Sequence, residues 1–142
     1  MKKVALAFLT GLALVLAACS GPSTPKTQEF TLEANAMKYQ PTQLEVVIGP
    51  PVKITFNNTD VVDHDFSIME FPMEQMTMSA EPVAEHDMSH MSSDPQLHMA
   101  VAMGQSGVME FTPTKTGAYE FFCTVPGHKE AGMKGTLVVK AP

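Results

Sequence analysis

The chain has little positive charge. Its 142 residues include 9 Lys and Arg against 15 Asp and Glu, a formal net charge of −6 at pH 7. Lys2 and Lys3 lie in a leading segment, residues 1–18, and without it seven basic residues face fifteen acidic ones, a formal charge of −8. Such an acidic domain argues against binding to nucleic acid, and it favours a basic partner protein.

The apolar run at the N-terminus is short for a membrane span. It extends from Val4 to Ala18, after Lys2 and Lys3, and polar residues follow it, which is typical of an export signal. It ends in Leu16-Ala17-Ala18-Cys19, which resembles the lipobox of bacterial lipoproteins. That resemblance implies cleavage after residue 18, acylation of Cys19 and a membrane anchor on the periplasmic or extracellular face of the bacterial cell envelope. An ordinary signal peptide with a chance cysteine is the alternative.

Residues 19–27 read as the lipidated cysteine and a flexible tether, because they are small, polar and rich in proline. The folded part, residues 28–142, is about 115 residues long, which suits a single domain.

Cysteine is also scarce, with two residues in the chain. If Cys19 carries lipid, Cys123 has no intramolecular disulfide partner in an oxidising compartment. Intermolecular pairing, a reactive nucleophile, a metal ligand and an inert buried thiol all remain open for Cys123 at this point.

Alternation of polar and apolar residues predicts short β-strands separated by turn residues. The predicted strands cover residues 29–36, 43–48, 52–57, 64–68, 108–112, 118–123 and 135–140. Strands of this length with frequent turns indicate an all-β antiparallel sandwich of about seven to eight strands. The same alternation puts His64 on the inward face of its strand and Cys123 on the inward face of another, so the two side chains can meet.

The strongest motif is Cys123-x4-His128-x4-Met133, in a tight loop near the C-terminus. A thiolate and imidazoles bind copper in either oxidation state, and a thioether provides the weak axial bond of blue copper sites. A fourth ligand must come from elsewhere in the chain, and His64 is the candidate. Taken singly, each of these residues has an ordinary interpretation as a core, turn or buried side chain.

This loop, with Phe121 and Phe122 before it, resembles those of the cupredoxins, the type 1 blue copper proteins, and especially the auracyanin, rusticyanin, azurin and plastocyanin types. The resemblance implies a Greek-key β-sandwich with one copper near one end, and His128 as the ligand through which electrons leave. One departure is Asp65, since plastocyanins and azurins have Asn after this histidine, where it tethers the ligand loop. The carboxylate leaves the reduction potential open.

These ligands leave no open position on the metal, so we expect an electron carrier and not an enzyme. We further expect a monomer that exchanges electrons with redox partner proteins that the sequence does not identify.

Residues 69–107 form a Met- and His-rich insert that holds eight of the twelve methionines and three of the five histidines. Three interpretations stay open: a partly ordered loop packed on the sandwich, an apolar docking face, or an auxiliary Cu(I) site, because thioether and imidazole suit soft monovalent metals. The candidate Cu(I) ligands are Met73, Met76, Met78, His86, Met88, His90, Met91, His98, Met99 and Met103. The third interpretation gives the alternative function, copper delivery or copper resistance in the envelope.

Strand direction predicts where the insert lies. Residues 108–112 and 118–123 read as an antiparallel hairpin across the turn at 113–117, so the first of them begins at the copper end. The strand from His64 runs away from copper. The insert should therefore leave at the far end and return beside the metal, with His98, Met99 and Met103 nearest to it and residues 73–91 more mobile.

Overall fold

The structure is a computed structural model, and it describes residues 25–80, 89 and 91–142. The predicted signal peptide, Cys19 and the candidate ligands His86, Met88 and His90 lie outside the described residues. Within the described part of the chain, no helix is long and apolar enough to cross a membrane.

Among the described residues, ten strands form two five-stranded sheets that pack face to face. The strands are β1 (Gln28–Asn35), β2 (Lys38–Gln40), β3 (Gln43–Val47), β4 (Val52–Asn58), β5 (His64–Ile68), β6 (Met73–Ala80), β7 (Leu97–Val101), β8 (Ser106–Pro113), β9 (Gly117–Phe122) and β10 (Lys134–Lys140). The first sheet has the order β2-β1-β4-β8-β6 and the second β3-β10-β9-β5-β7. The pairs β1–β4 and β3–β10 are parallel, and the other pairs are antiparallel. The predicted all-β sandwich is confirmed, with more strands than expected and with two parallel strand pairs where antiparallel pairing was predicted.

The core lies between the sheets and follows the alternation of the sequence. In β4, Val52, Ile54 and Phe56 are fully buried, while the residues between them are half-buried. β5 is buried at every position, and it lies between β9 and β7 in its sheet. Polar residues of β5 are therefore held inside the protein as firmly as its apolar ones.

The described residues of the insert include the strands β6 and β7, so the interpretation of residues 69–107 as a partly ordered loop is wrong for these two segments. β6 is an edge strand paired with β8, and its register shifts at a β-bulge, where Gln75 has a φ of 53°. Seven of its eight residues are exposed. The bulge and the missing buried face remove the alternation by which a strand is recognised in a sequence.

The predicted hairpin of residues 108–112 and 118–123 is also wrong, because β8 and β9 belong to different sheets. The chain crosses between sheets after Pro113 instead of turning back within one sheet. The prediction that the insert returns at the copper end of the sandwich nevertheless holds. Val101 pairs with His64 and Ser106 with Asn57, so residues 101–107 lie at the end of the sandwich where β5 begins.

Candidate metal centre

Three buried side chains converge at one end of the sandwich. Nδ1 of His64, Sγ of Cys123 and Nδ1 of His128 all lie within 4.8 Å of one another. The two Nδ1 atoms are 3.2 Å apart, and Sγ lies 3.8 Å from that of His64 and 3.5 Å from that of His128. The three residues are 0%, 1% and 7% exposed, so little water reaches the space between them.

Each donor is positioned by a different local structure. His64 opens β5, and Cys123 directly follows β9. His128 lies in the loop between β9 and β10, where Met133 N donates to His128 O at 2.9 Å and Cys123 N donates to Met133 O at 3.2 Å. The tight turns of this loop use left-handed backbone at Gly127, with φ of 85°, and Gly132, with φ of 101°, a conformation that glycine adopts without steric cost.

The spacing of the donors fits a small first-row metal ion. With bonds of about 2.0 Å to nitrogen and 2.3 Å to sulfur at trigonal angles, the donor atoms would lie about 3.5 to 3.7 Å apart. The observed separations of 3.2 to 3.8 Å bracket that range. One thiolate with two imidazoles in a trigonal array is the strong donor set of blue copper sites.

The His64 ring is oriented by Asp60, whose Oδ2 lies 3.1 Å from His64 Nε2. An ionised carboxylate only accepts hydrogen bonds, so His64 Nε2 carries the hydrogen. His64 Nδ1 then has a free lone pair on the side of the other two candidate metal ligands. The hydrogen bond from His64 lowers the pKa of Asp60 to about 2, helped by the backbone N–H of Val61. Asp60 was not recognised from the sequence as a partner of His64. Its position four residues before His64 was the available signal.

Asp65 ties β5 to the ligand loop. Its carboxylate accepts hydrogen bonds from Thr124 N at 2.9 and 3.0 Å and from Thr124 Oγ1 at 2.8 Å. Its Oδ2 also lies 3.6 Å from Cys123 Sγ. The tether that Asn provides in plastocyanins and azurins is thus provided here by a carboxylate with no exposed surface. Thr124 and Ser67, the other partners of this carboxylate, were not recognised from the sequence.

Burial and Asp65 shift the acid–base properties of the donors. Burial first, and then the negative charge of Asp65, raise the pKa of the Cys123 thiol to about 12. Burial also lowers the pKa of His128, and the neighbouring His64 lowers it further. Without metal at neutral pH, the neutral imidazole of His128 therefore lies beside the protonated thiol of Cys123, and a metal must displace the thiol proton.

Met133 is completely buried in the core, and its backbone is bonded to both loop donors. Its position agrees with the sequence motif, and its role as axial ligand stays a prediction.

The candidate auxiliary residues do not share one environment. Met73 packs partly buried against the core, whereas Met76 and Met78 on β6 are 39% and 47% exposed. Met99 is a core residue, and its sulfur would lie 2.9 Å from a Cβ added at Gly107. The others are placed as follows: His98 bonds to Ser67, Met103 is exposed and its N–H donates to Asp63, and Met91 borders a cavity of about 300 Å³ beside the ligand loop.

A β-sandwich with a closed Cys-His-His donor set at one end defines a small metal-binding protein. Comparison with known proteins identifies the family, since the cupredoxin-like domain model matches residues 6–139. Auracyanin-A of Chloroflexus aurantiacus is 33% identical over 98% of this chain and 97% of its own length. The copper-resistant cuproprotein CopI of Rubrivivax gelatinosus is 34% identical over 75% of this chain, and this chain spans 62% of CopI.

A solved structure of auracyanin B superposes with a TM-score of 0.61 at 22% identity, covering 83% of this chain and 91% of auracyanin B. At that identity the superposition supports the fold alone. The chain belongs to the cupredoxin-like family. The predicted resemblance is thereby confirmed, as is copper as the cofactor that this family and this donor set share.

Proposed function

We propose that this protein carries single electrons on one copper ion, with His64, Cys123 and His128 as strong ligands and Met133 as the weak axial ligand. The observation that carries the proposal is the enclosure of the three strong donors, all of which are at least 93% buried. Three fixed strong ligands and an axial thioether leave no coordination position for a substrate. The copper can then change oxidation state and does not bind a reactant.

The donors are also held rigidly, which favours fast electron exchange. His64 is fixed by Asp60, Cys123 and His128 by the backbone bonds of the ligand loop, and the loop by Asp65. A site that cannot rearrange keeps nearly the same geometry in Cu(II) and Cu(I), so little reorganisation accompanies electron transfer.

Four exposed apolar side chains lie in or beside the loop that leads into His64, and they suit brief contact with a redox partner. Met37, Val61, Val62 and Met103 are exposed, by 41%, 81%, 39% and 60%. All four adjoin the loop that leads into His64, because Met37 N donates to Asp60 and Met103 N donates to Asp63. We call these four residues the copper-end patch, and we propose that partners dock on it and exchange electrons through His128.

A lipid anchor on Cys19 would keep this carrier at the membrane surface, in the periplasm or outside the cell, beside membrane-bound redox partners. Its support is the sequence Leu16-Ala17-Ala18-Cys19 and the tether that follows it.

The test is a copper titration of the chain followed by visible spectroscopy and cycles of reduction and reoxidation. We expect one copper per chain, an intense blue band from thiolate-to-copper charge transfer, and reversible one-electron cycling. The matched variant Cys123→Ser should fold and have no blue band. A blue band that survives this substitution, or a site that cannot be cycled, would refute the proposal.

A second candidate function is copper delivery or copper resistance. The observation that favours it is the pair of exposed thioethers, Met76 and Met78, on the edge strand β6, together with the similarity to a protein named as copper-resistant. Thioethers exposed to solvent bind Cu(I) in preference to Cu(II). Copper stoichiometry separates the two functions, because a carrier retains one copper and a delivery protein takes up more and releases it to an acceptor.

A further inference from the structure

A row of polar side chains connects the metal centre with the protein surface. Ser67 Oγ lies 2.6 Å from Asp65 Oδ1 and 2.8 Å from His98 Nδ1. The side chain of Asp65 has no exposed surface, whereas that of His98 is 27% exposed. The pairing of β5 with β7 sets this arrangement, since Ser67 and His98 are register partners. We call Asp65, Ser67 and His98 the β5–β7 arm.

The chemistry of the arm fixes the direction of its hydrogen bonds. An ionised carboxylate only accepts, so the single hydroxyl hydrogen of Ser67 is donated to Asp65. The Ser67 oxygen is then the acceptor towards His98, and His98 Nδ1 must carry a hydrogen. Each donor in such a chain polarises the next, which strengthens the bond that reaches the carboxylate.

The opposite side of the same carboxylate faces the metal centre. It accepts from Thr124 N and Thr124 Oγ1, and its Oδ2 lies 3.6 Å from Cys123 Sγ. With copper bound, the thiolate and the Asp65 carboxylate together carry two negative charges, which balance Cu(II) and exceed Cu(I) by one. The carboxylate therefore favours the oxidised form, and withdrawal of charge from it favours the reduced form.

We propose that His98 is a positioning residue of the copper centre. Through Ser67 it keeps the Asp65 carboxylate hydrogen-bonded to Thr124, and it draws part of the negative charge of that carboxylate away from the Cys123 thiolate. His98 thereby raises the reduction potential without contacting a ligand. The inference rests on the proposed copper centre and on nothing further in the proposed function, so a partner or pathway need not be known to test it.

The test compares midpoint potentials of the copper-loaded full chain. His98→Leu removes the N–H donor from the arm, whereas His98→Asn keeps an N–H near the position of Nδ1. We expect His98→Leu to shift the Cu(II)/Cu(I) equilibrium severalfold towards Cu(II), where a tenfold shift corresponds to about 59 mV. His98→Asn should remain near the unchanged protein, and both variants should keep the blue band. A missing blue band in the unchanged protein would refute the proposed function instead.

A double-mutant cycle shows whether the effect passes through Asp65. In an Asp65→Asn background, His98→Leu should shift the potential little, because no carboxylate remains to be positioned. Equal shifts in both backgrounds, or no shift in either, would overturn the proposal. Ser67→Ala breaks the arm without touching His98 and should lower the potential in the same direction, which provides a second variant if His98→Leu folds poorly.

A readout on the metal-free chain completes the test. Hydrogen exchange of the Thr124 amide should be faster in His98→Leu and Ser67→Ala than in the unchanged chain, and unaffected in His98→Asn. An exchange rate that is the same in all four proteins would show that the arm does not hold the carboxylate.

Discussion

Asp60 and His64 are joined by a hydrogen bond of 3.1 Å between Oδ2 and Nε2 across one turn of the loop that opens β5. The acid also accepts the backbone N–H groups of Met37 and Val61, and Asn58 Oδ1 accepts the N–H of Asp60. Two backbone N–H groups therefore hold the carboxylate, and Asn58 holds the backbone of Asp60, while the carboxylate orients the imidazole. A partner of this kind fixes the tautomer of a metal-binding histidine and raises its basicity.

Substitution of Asp60 by Ala should weaken copper binding by about 10- to 100-fold, since the His64 ring loses its orienting acceptor. Asp60→Asn keeps an acceptor oxygen and should lose less. Competition with a copper chelator measures both affinities. Equal affinity in the Ala variant and the unchanged protein would show that packing alone orients His64.

Asp60 should also make the free energy of unfolding depend on pH in the acid range. The pKa of Asp60 is lowered to about 2 in the folded chain, and it is about 3.9 in an unfolded chain. Its contribution to the free energy of unfolding is thus complete above about pH 4 and is lost as the pH falls towards 2. Chemical unfolding of the metal-free chain at several pH values should show this loss, and Asp60→Ala should lack it.

Cys123 should make the free energy of unfolding fall at high pH. Its pKa is raised to about 12 in the folded chain by burial and by Asp65, whereas an unfolded thiol ionises near pH 8.5. The folded chain binds the thiol proton more tightly, so stability is full below about pH 8.5 and falls as the pH rises towards 12. Unfolding of the metal-free chain above pH 8.5 measures this loss, and the Cys123→Ser chain should not show that fall.

Copper uptake should release the same proton, because the ligand is the thiolate. Titration with copper in weakly buffered solution should therefore release about one proton per copper bound, which is measured as a fall in pH. The Cys123→Ser variant should release none. A Cys123 thiol that is already ionised at neutral pH without metal would contradict this result.

Met133→Leu should retain the blue band and raise the reduction potential. The substitution preserves side-chain volume in a fully buried position, and it removes a donor that favours Cu(II). Voltammetry of the copper-loaded protein measures the change. A midpoint that is unchanged or lower would show that Met133 is a core residue and not a ligand.

The parts of the fold that follow simple rules were predictable. β4 and β5 alternate, and the ligand loop has a spacing that is specific for its chemistry, so the sandwich and the three converging donors could be inferred from the residues alone. β6 could not, because its β-bulge at Gln75 and its exposed surface erase the alternation. β8 and β9 were paired wrongly, because a short connection can cross between sheets as readily as it can turn within one sheet.

The surroundings of the metal centre were harder to infer than its donors. Asp65 was seen as a departure from the family pattern, yet its partners Ser67 and Thr124 are 2 and 59 residues away in the chain. Contacts of this kind depend on strand register, which the sequence does not give. Met99 was a candidate ligand by composition and is a core residue by position, because β7 pairs with β5 and turns that side chain inward.

The last prediction concerns the exposed methionines of the insert. Removing residues 73–98 would delete β6 and the His98 end of β7, so point substitutions give a cleaner test of the insert. The double variant Met76→Leu and Met78→Leu preserves volume and removes both exposed thioethers of β6. Uptake of Cu(I) beyond the first equivalent, measured against a Cu(I)-specific chelator, should fall in this variant while the blue band stays unchanged.

Met37→Leu is the matched control, since Met37 is 41% exposed and lies outside the insert. If the unchanged chain binds only one Cu(I), or if the double variant takes up as much extra Cu(I) as the control, these methionines bind no copper and the delivery function loses its structural support.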